Sequence, residues 1–134
     1  MKEAHIMNIT ILVLLVEDEP MLLINAQDTL HDGGFEVVDA SNAQDAIRIL
    51  EADADSIAGL ITDVRLGSGS TGWDVARRAR ELKPNLPVVY MTAESAEDWS
   101  AQGVPKSILV QKPFAPAQLL TAISTLINEA STGL

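Results

Sequence analysis

The stretch "IMNITILVLLVEDEP" (residues 6–20) decides how the rest of the chain is read. An apolar run behind Lys2 resembles a secretory signal. However, it passes straight into Glu17-Asp18-Glu19 with no small-residue cleavage site, and it is too short to span a bilayer. Positions 11–16 are apolar without a break, the pattern of a parallel strand covered on both faces. Pro20 then suits the first turn of a helix, with Leu22, Leu23, Ala26 and Leu30 on one side of it. A buried strand that feeds a helix opens a βα unit, and a cytoplasmic protein is expected.

The alternation repeats down the chain. Gly33-Gly34 stops the first helix, and "FEVVDA" (35–40) reads as a second strand. Ser41 with Gln44 predicts a capping box for a helix lined by Ala43, Ala46, Ile47 and Leu50. "AGLIT" (58–62) is the third strand, and after a Gly/Ser loop a helix turns Trp73, Ala76, Ala79 and Leu82 inward until Lys83-Pro84. "PVVYMT" (87–92) is the fourth strand, followed by a weak helix over 95–102 anchored by Trp99. "SILV" (107–110) is the fifth, and Pro116 opens a helix burying Leu119, Ile123, Leu126 and Ile127. The pattern predicts an α/β fold: an open five-stranded parallel sheet with helices on both faces. One domain over 9–130 is expected, with flexible tails at 1–8 and 131–134.

Bulk properties narrow the function. A chain of 134 residues with 47% hydrophobic content has one domain's core and is not a disordered segment. The formal charge of −10 repels nucleic acid and anionic membrane, so neither is an expected partner. With no cysteine, disulfides and thiolate chemistry are excluded.

In open α/β sheets the ligand site lies beyond the carboxyl ends of the strands. The residues leaving those ends are Glu17, Asp18 and Glu19 after the first strand, Asp63 after the third, Thr92 after the fourth and Lys112 after the fifth. If the first strand neighbours the third, Glu17, Asp18 and Asp63 converge, and carboxylates so placed need a counter-charge. A hard divalent cation fits, Mg2+ above all, because it accepts few protein ligands and keeps several waters. Lys112 supplies a second positive charge. Each residue alone has a plainer explanation: a helix-end charge, a loop cap, a core-edge hydroxyl, a solvated lysine. Their joint placement at successive strand ends favours chemistry.

Four motifs carry a resemblance: "LLVEDEP" (14–20), "LITDVRL" (60–66), "VVYMTAE" (88–94) and "VQKPF" (110–114). In this order, over residues 11–128, the chain resembles the receiver domain of two-component response regulators. The resemblance implies a flavodoxin-like sheet of strand order 2-1-3-4-5 and a phosphoryl-accepting aspartate, Asp63. It implies Asp18 as a direct Mg2+ ligand, Glu17 holding the metal through water, and Arg65 offering a backbone carbonyl. It assigns Thr92 and Lys112 to the phosphoryl oxygens, with a cis bond before Pro113. The implied partners are a sensor histidine kinase or histidine phosphotransfer protein and a downstream protein target. The implied activity is Mg2+-dependent self-phosphorylation and slow self-dephosphorylation in a stand-alone receiver, with the face near 95–128 favoured for the target.

The chain departs from that family pattern in three places. Leu109 stands where the family usually has Tyr or Phe, so the signal is expected to travel through the 95–102 helix and Trp99 instead. Gly67 replaces a usual proline in a Gly/Ser-rich loop expected to form a mobile rim. Arg65 and Glu94, of opposite charge, occupy positions flanking water's approach to an acyl phosphate and are expected to pair and hinder hydrolysis. Among rivals, an FMN protein would be repelled by "EDEP", and a haloacid-dehalogenase-type phosphatase would want a carboxylate at position 65. A transcription factor would need an output domain. A degenerate receiver that binds a partner without phosphorylation is the main alternative.

Overall fold

The apolar runs become strands whose alternate side chains enter opposite layers. In the computed structural model, which describes residues 10–67, 69–93 and 97–132, the strands are β1 (Leu12–Val16), β2 (Glu36–Ala40), β3 (Gly59–Asp63), β4 (Val88–Thr92) and β5 (Ile108–Gln111). The helices are α1 (Pro20–Asp32), α2 (Ala43–Asp53), α3 (Gly72–Leu82), α4 (Glu97–Gln102) and α5 (Pro116–Ser131). The order is β2-β1-β3-β4-β5, all pairs parallel. This is the expected flavodoxin-like arrangement. The expected tail segment 1–8 and residues 133–134 lie outside the described residues, while α5 continues through Ser131.

Period-two alternation divides the core. Leu14, Val16, Leu60, Val88 and Tyr90 face Ala46, Leu50, Val75, Ala76 and Ala79 of α2 and α3. Val13, Leu15, Ile61, Val89 and Met91 face Ala26 and Leu30 of α1 and Leu119, Ala122 and Ile123 of α5. Strands covered on both sides must be apolar at every position, which is why "ILVLLV" lacks alternation.

Local details differ from the sequence reading in instructive ways. The cap of α2 is Asn42, not Ser41: its side-chain oxygen accepts the Asp45 N–H at 2.8 Å, because the helix starts at Ala43 and the amide three residues on is that of Asp45. Leu22 is 39% exposed rather than inward, beside Met21 at 61% and Ile24 at 49%, so the buried stripe of α1 narrows to Ala26 and Leu30. Ile127 is half-buried yet packs against the same layer, and Ala122 joins the buried face. A short 3-10 turn at Ala54–Ser56 links α2 to β3. Lys83 donates to the Ile57 carbonyl at 2.7 Å and helps to hold that link.

Candidate functional site

The carboxyl ends of β1, β3, β4 and β5 form one edge of the sheet. Parallel register makes this unavoidable: Val16 pairs with Thr62, Asp63 with Met91, and Thr92 with Gln111. The residues that follow these pairs therefore share a rim. Further backbone bonds fix the exits, from Glu17 N–H to the Ala40 carbonyl (3.1 Å), Val64 N–H to Met91 (3.1 Å) and Lys112 N–H to Thr92 (2.7 Å).

The three acidic residues after β1 separate into different roles. Glu19 caps α1, its carboxylate accepting the Met21 N–H at 2.9 Å. Glu17 is 1% exposed and accepts the Glu19 N–H at 3.2 Å through one oxygen. Asp18 is exposed at the rim. Carboxylate oxygens of Glu17, Asp18 and Asp63 all lie within 4.8 Å of one another.

Lys112 bridges two of these groups. Its ammonium donates to Glu17 Oε1 and to Asp63 Oδ2, each at 2.9 Å. Burial pushes the Glu17 carboxyl above its usual range; the Lys112 hydrogen bond opposes this, and the Asp63 charge adds to it. For Lys112, burial pulls downward, but the bonds to Glu17 and Asp63 outweigh it and the net shift is upward. Lys112 thus stays cationic between two acidic groups. The peptide bond from Lys112 to Pro113 is cis.

The remaining candidates are placed as follows. Thr92 is buried at the last position of β4, on the same edge as Asp63. Arg65 is exposed in the loop beyond Asp63, and its N–H points to Asp63 Oδ1 at 3.4 Å. Glu94 lies outside the described residues, so the expected pair with Arg65 does too. Leu109 is half-buried in β5, opposite Tyr90. Trp73, Tyr90 and Trp99 all pack in or against the α2/α3 layer.

Gly72, at the end of the loop after Asp63, is a site residue to which the sequence reading gave no role. A Cβ there would lie 2.0 Å from the Asp63 carbonyl oxygen, and the Gly72 N–H donates to Val64 at 2.8 Å. The Thr62 hydroxyl bonds the same Asp63 carbonyl at 2.8 Å. Together they fix the backbone from which the Asp63 carboxylate projects. The available signal was a glycine at the end of the loop, directly after Thr71, whose side chain forms the capping box of α3 with Asp74.

Beside the carboxylates a cavity of about 580 Å³ opens between α1 and the segment joining β5 to α5. Its lining includes Glu17, Leu22, Met91, Ala93, Lys112 and Phe114. The donor set of the acidic cluster is all oxygen and anionic, which suits a hard cation such as Mg2+ and not a soft metal. Among the described residues, no helix is long and apolar enough to cross a membrane.

The family described as "Response regulator receiver domain" matches residues 13–124. A response regulator receiver protein from Sinorhizobium medicae is 44% identical, with a TM-score of 0.86, covering 89% of this chain and 95% of its own. The receiver domain of sensor histidine kinase PA1611 from Pseudomonas aeruginosa, with a magnesium ion coordinated in its active-site cleft, shares the fold at 22% identity and a TM-score of 0.77, covering 90% of this chain and 99% of its own. The phosphate regulon transcriptional regulatory protein PhoB of P. aeruginosa is 28% identical over 125 residues, 90% of this chain and 53% of that protein. The chain thus spans about half the length of the curated relatives that it matches.

Proposed function

The chain belongs to the response regulator receiver domain family, and from that premise we propose that it accepts a phosphoryl group on Asp63 from a phosphohistidine donor and signals by protein contact or onward transfer. The observation that carries this reading is the convergence of Glu17, Asp18 and Asp63 with Lys112 bonded to Asp63 at 2.9 Å. A carboxylate is a weak nucleophile, so its environment must do much of the work. An Asp63 oxygen attacks phosphorus, an O–P bond forms, the N–P bond of the donor breaks, and the imidazole leaves with its electron pair. Lys112 moves with the charge: its bond to Asp63 is positioned to pass to a phosphoryl oxygen as that charge develops. Thr92, at the end of β4, is assigned to a second phosphoryl oxygen.

Asp18 and Asp63, with Glu17 behind them, would hold Mg2+, and the Arg65 carbonyl is the proposed fourth contributor. When bound, the cation supplies charge neutralisation for the transferring group. Arg65 and Glu94 are assigned to limiting water's approach to the acyl phosphate, which sets how long the modified state lasts.

The donor is a histidine kinase or histidine phosphotransfer protein. Its histidine has to reach Asp63, so its carrying element must cover what flanks the pocket. On one flank that is the cavity with Leu22, and the exposed Met21 and Ile24 beside it.

The test is intact-mass spectrometry after incubation with acetyl phosphate and Mg2+, with Asp63→Asn as control. One added phosphoryl group in the native chain and none in the control is expected. An unmodified native chain would transfer the case to the alternative, a receiver that binds its partner without phosphorylation.

A further inference from the structure

The sequence sets 9 lysines and arginines against 19 acidic residues, so a cation without a carboxylate partner is unexpected. Arg48, Arg77, Arg78 and Lys112 each pair with a carboxylate. Arg80, Lys83 and Lys106 pair with none among the described residues. All three belong to the amino-terminal edge of the sheet, opposite Asp63. Lys83 and Arg80 donate there to carbonyls that precede strands: Ile57 before β3, Leu86 before β4 and Pro105 before β5, each at 2.7 Å.

A cavity of about 220 Å³ opens at this edge, between the end of α3, the turn before β5 and the last turns of α5. Pockets for drug-sized ligands begin at roughly 300 Å³, so an occupant would be small. The lining carries both signs of charge: Arg80 and Lys106 are positive, Glu129 of α5 is negative, and Asn85 adds an amide. No ion pair joins Glu129 to either cation. Among the described residues, no side-chain bond engages Asn85, Lys106 or Glu129. Arg80 is half-buried, and burial pulls its guanidinium below the ordinary range, with Tyr90 opposing only in part. Its two carbonyl bonds leave further N–H groups of the fork to offer.

Lys106 adds a second observation. Its φ is 59°, the only positive value at a non-glycine residue among those described. Glycine would take that conformation without strain, so what lysine contributes to the turn is its ammonium.

We propose that this cavity binds a small zwitterion of the α-amino-acid class, its carboxylate on Arg80 and Lys106, its ammonium on Glu129, and its side chain against Pro87 and Leu126. A guanidinium fork matches a carboxylate in both shape and charge. A plain anion would meet the Glu129 charge, and a plain cation would meet Arg80 and Lys106. Only a molecule with both ends satisfies all three. The site shares no residue with the pocket around Asp63 and does not depend on the phosphoryl-accepting reading.

NMR titration of the full chain with L-alanine tests this, with propionate and ethylamine as its two halves. L-alanine is expected to shift the Asn85 side-chain amide and the Lys106 backbone amide saturably. Each half should bind at least about ten-fold more weakly. Lys106→Gly should melt within a few degrees of the native chain, relief of strain offsetting the chain entropy of glycine. Its affinity for L-alanine should nevertheless fall about ten-fold. Glu129→Gln should lose the preference for L-alanine over propionate. No saturable shift, or propionate binding as tightly as L-alanine, overturns the proposal, and so does native affinity in Lys106→Gly. Labelling of Asp63 by acetyl phosphate is a separate measurement, so failure here leaves that reading intact.

Discussion

Glu17 and Lys112 touch, and burial acts on them in opposite directions. Glu17 is raised, so the fold favours its neutral form, and its ionisation costs stability as pH rises from its ordinary 4.5 through the higher folded value. In metal-free buffer at pH 7, Glu17→Gln should therefore melt higher than the native chain. The gap should close as pH falls below 4.5, and thermal melts in EDTA across pH check it. Lys112 works the other way: raised overall, it contributes fully at neutral pH, and that contribution is lost only as pH rises through its elevated folded value. Gly72 gives a second prediction. With a Cβ 2.0 Å from the Asp63 carbonyl, Gly72→Ala must move backbone. A loss on the order of 2–3 kcal/mol in urea unfolding is expected. The acid, hydroxyl and lysine positions were legible because each ends a recognisable strand. Gly72 was not, because its partner is nine positions earlier in the chain and only tertiary approach brings them together.

At the scale of elements, α1 departs most from its sequence pattern. Its apolar residues outnumber its buried ones, leaving Met21, Leu22 and Ile24 on the surface beside the Lys112 cavity. Periodicity alone could not separate an inward leucine from one on a contact face, since both are apolar at helical spacing. If this flank receives the donor, the double substitution Met21→Ser and Leu22→Ser should slow transfer from a phosphohistidine protein about ten-fold. Labelling by acetyl phosphate should stay at the native rate. Equal slowing with both donors would mean that the pocket itself had been damaged. The α2 cap shows the same limit on a smaller scale: Ser41 and Asn42 are both good capping residues, and the backbone settles which one starts the helix.

Across the whole molecule, whose formal charge is −10, one rim sets three carboxyl groups, Glu17, Asp18 and Asp63, against a single lysine. A divalent cation held there, as proposed, would relieve that imbalance in the folded chain only. A tenfold excess of Mg2+ over its dissociation constant should add about 1.4 kcal/mol. Differential scanning fluorimetry at matched ionic strength should show a rise in Tm with MgCl2 over NaCl, abolished by Asp18→Asn. A rise that survives that substitution would place the cation elsewhere. The sequence by itself determined the architecture, because strands buried on both faces must be apolar throughout and a parallel sheet must send its loops to one rim. It also determined which side chains that rim would carry. Tertiary structure alone decided how they divide: Glu19 to the helix cap, Glu17 into burial with Lys112, Asp18 to solvent. Burial and hydrogen bonding depend on what other segments bring to the same place, and neighbouring letters in a chain hold no record of that.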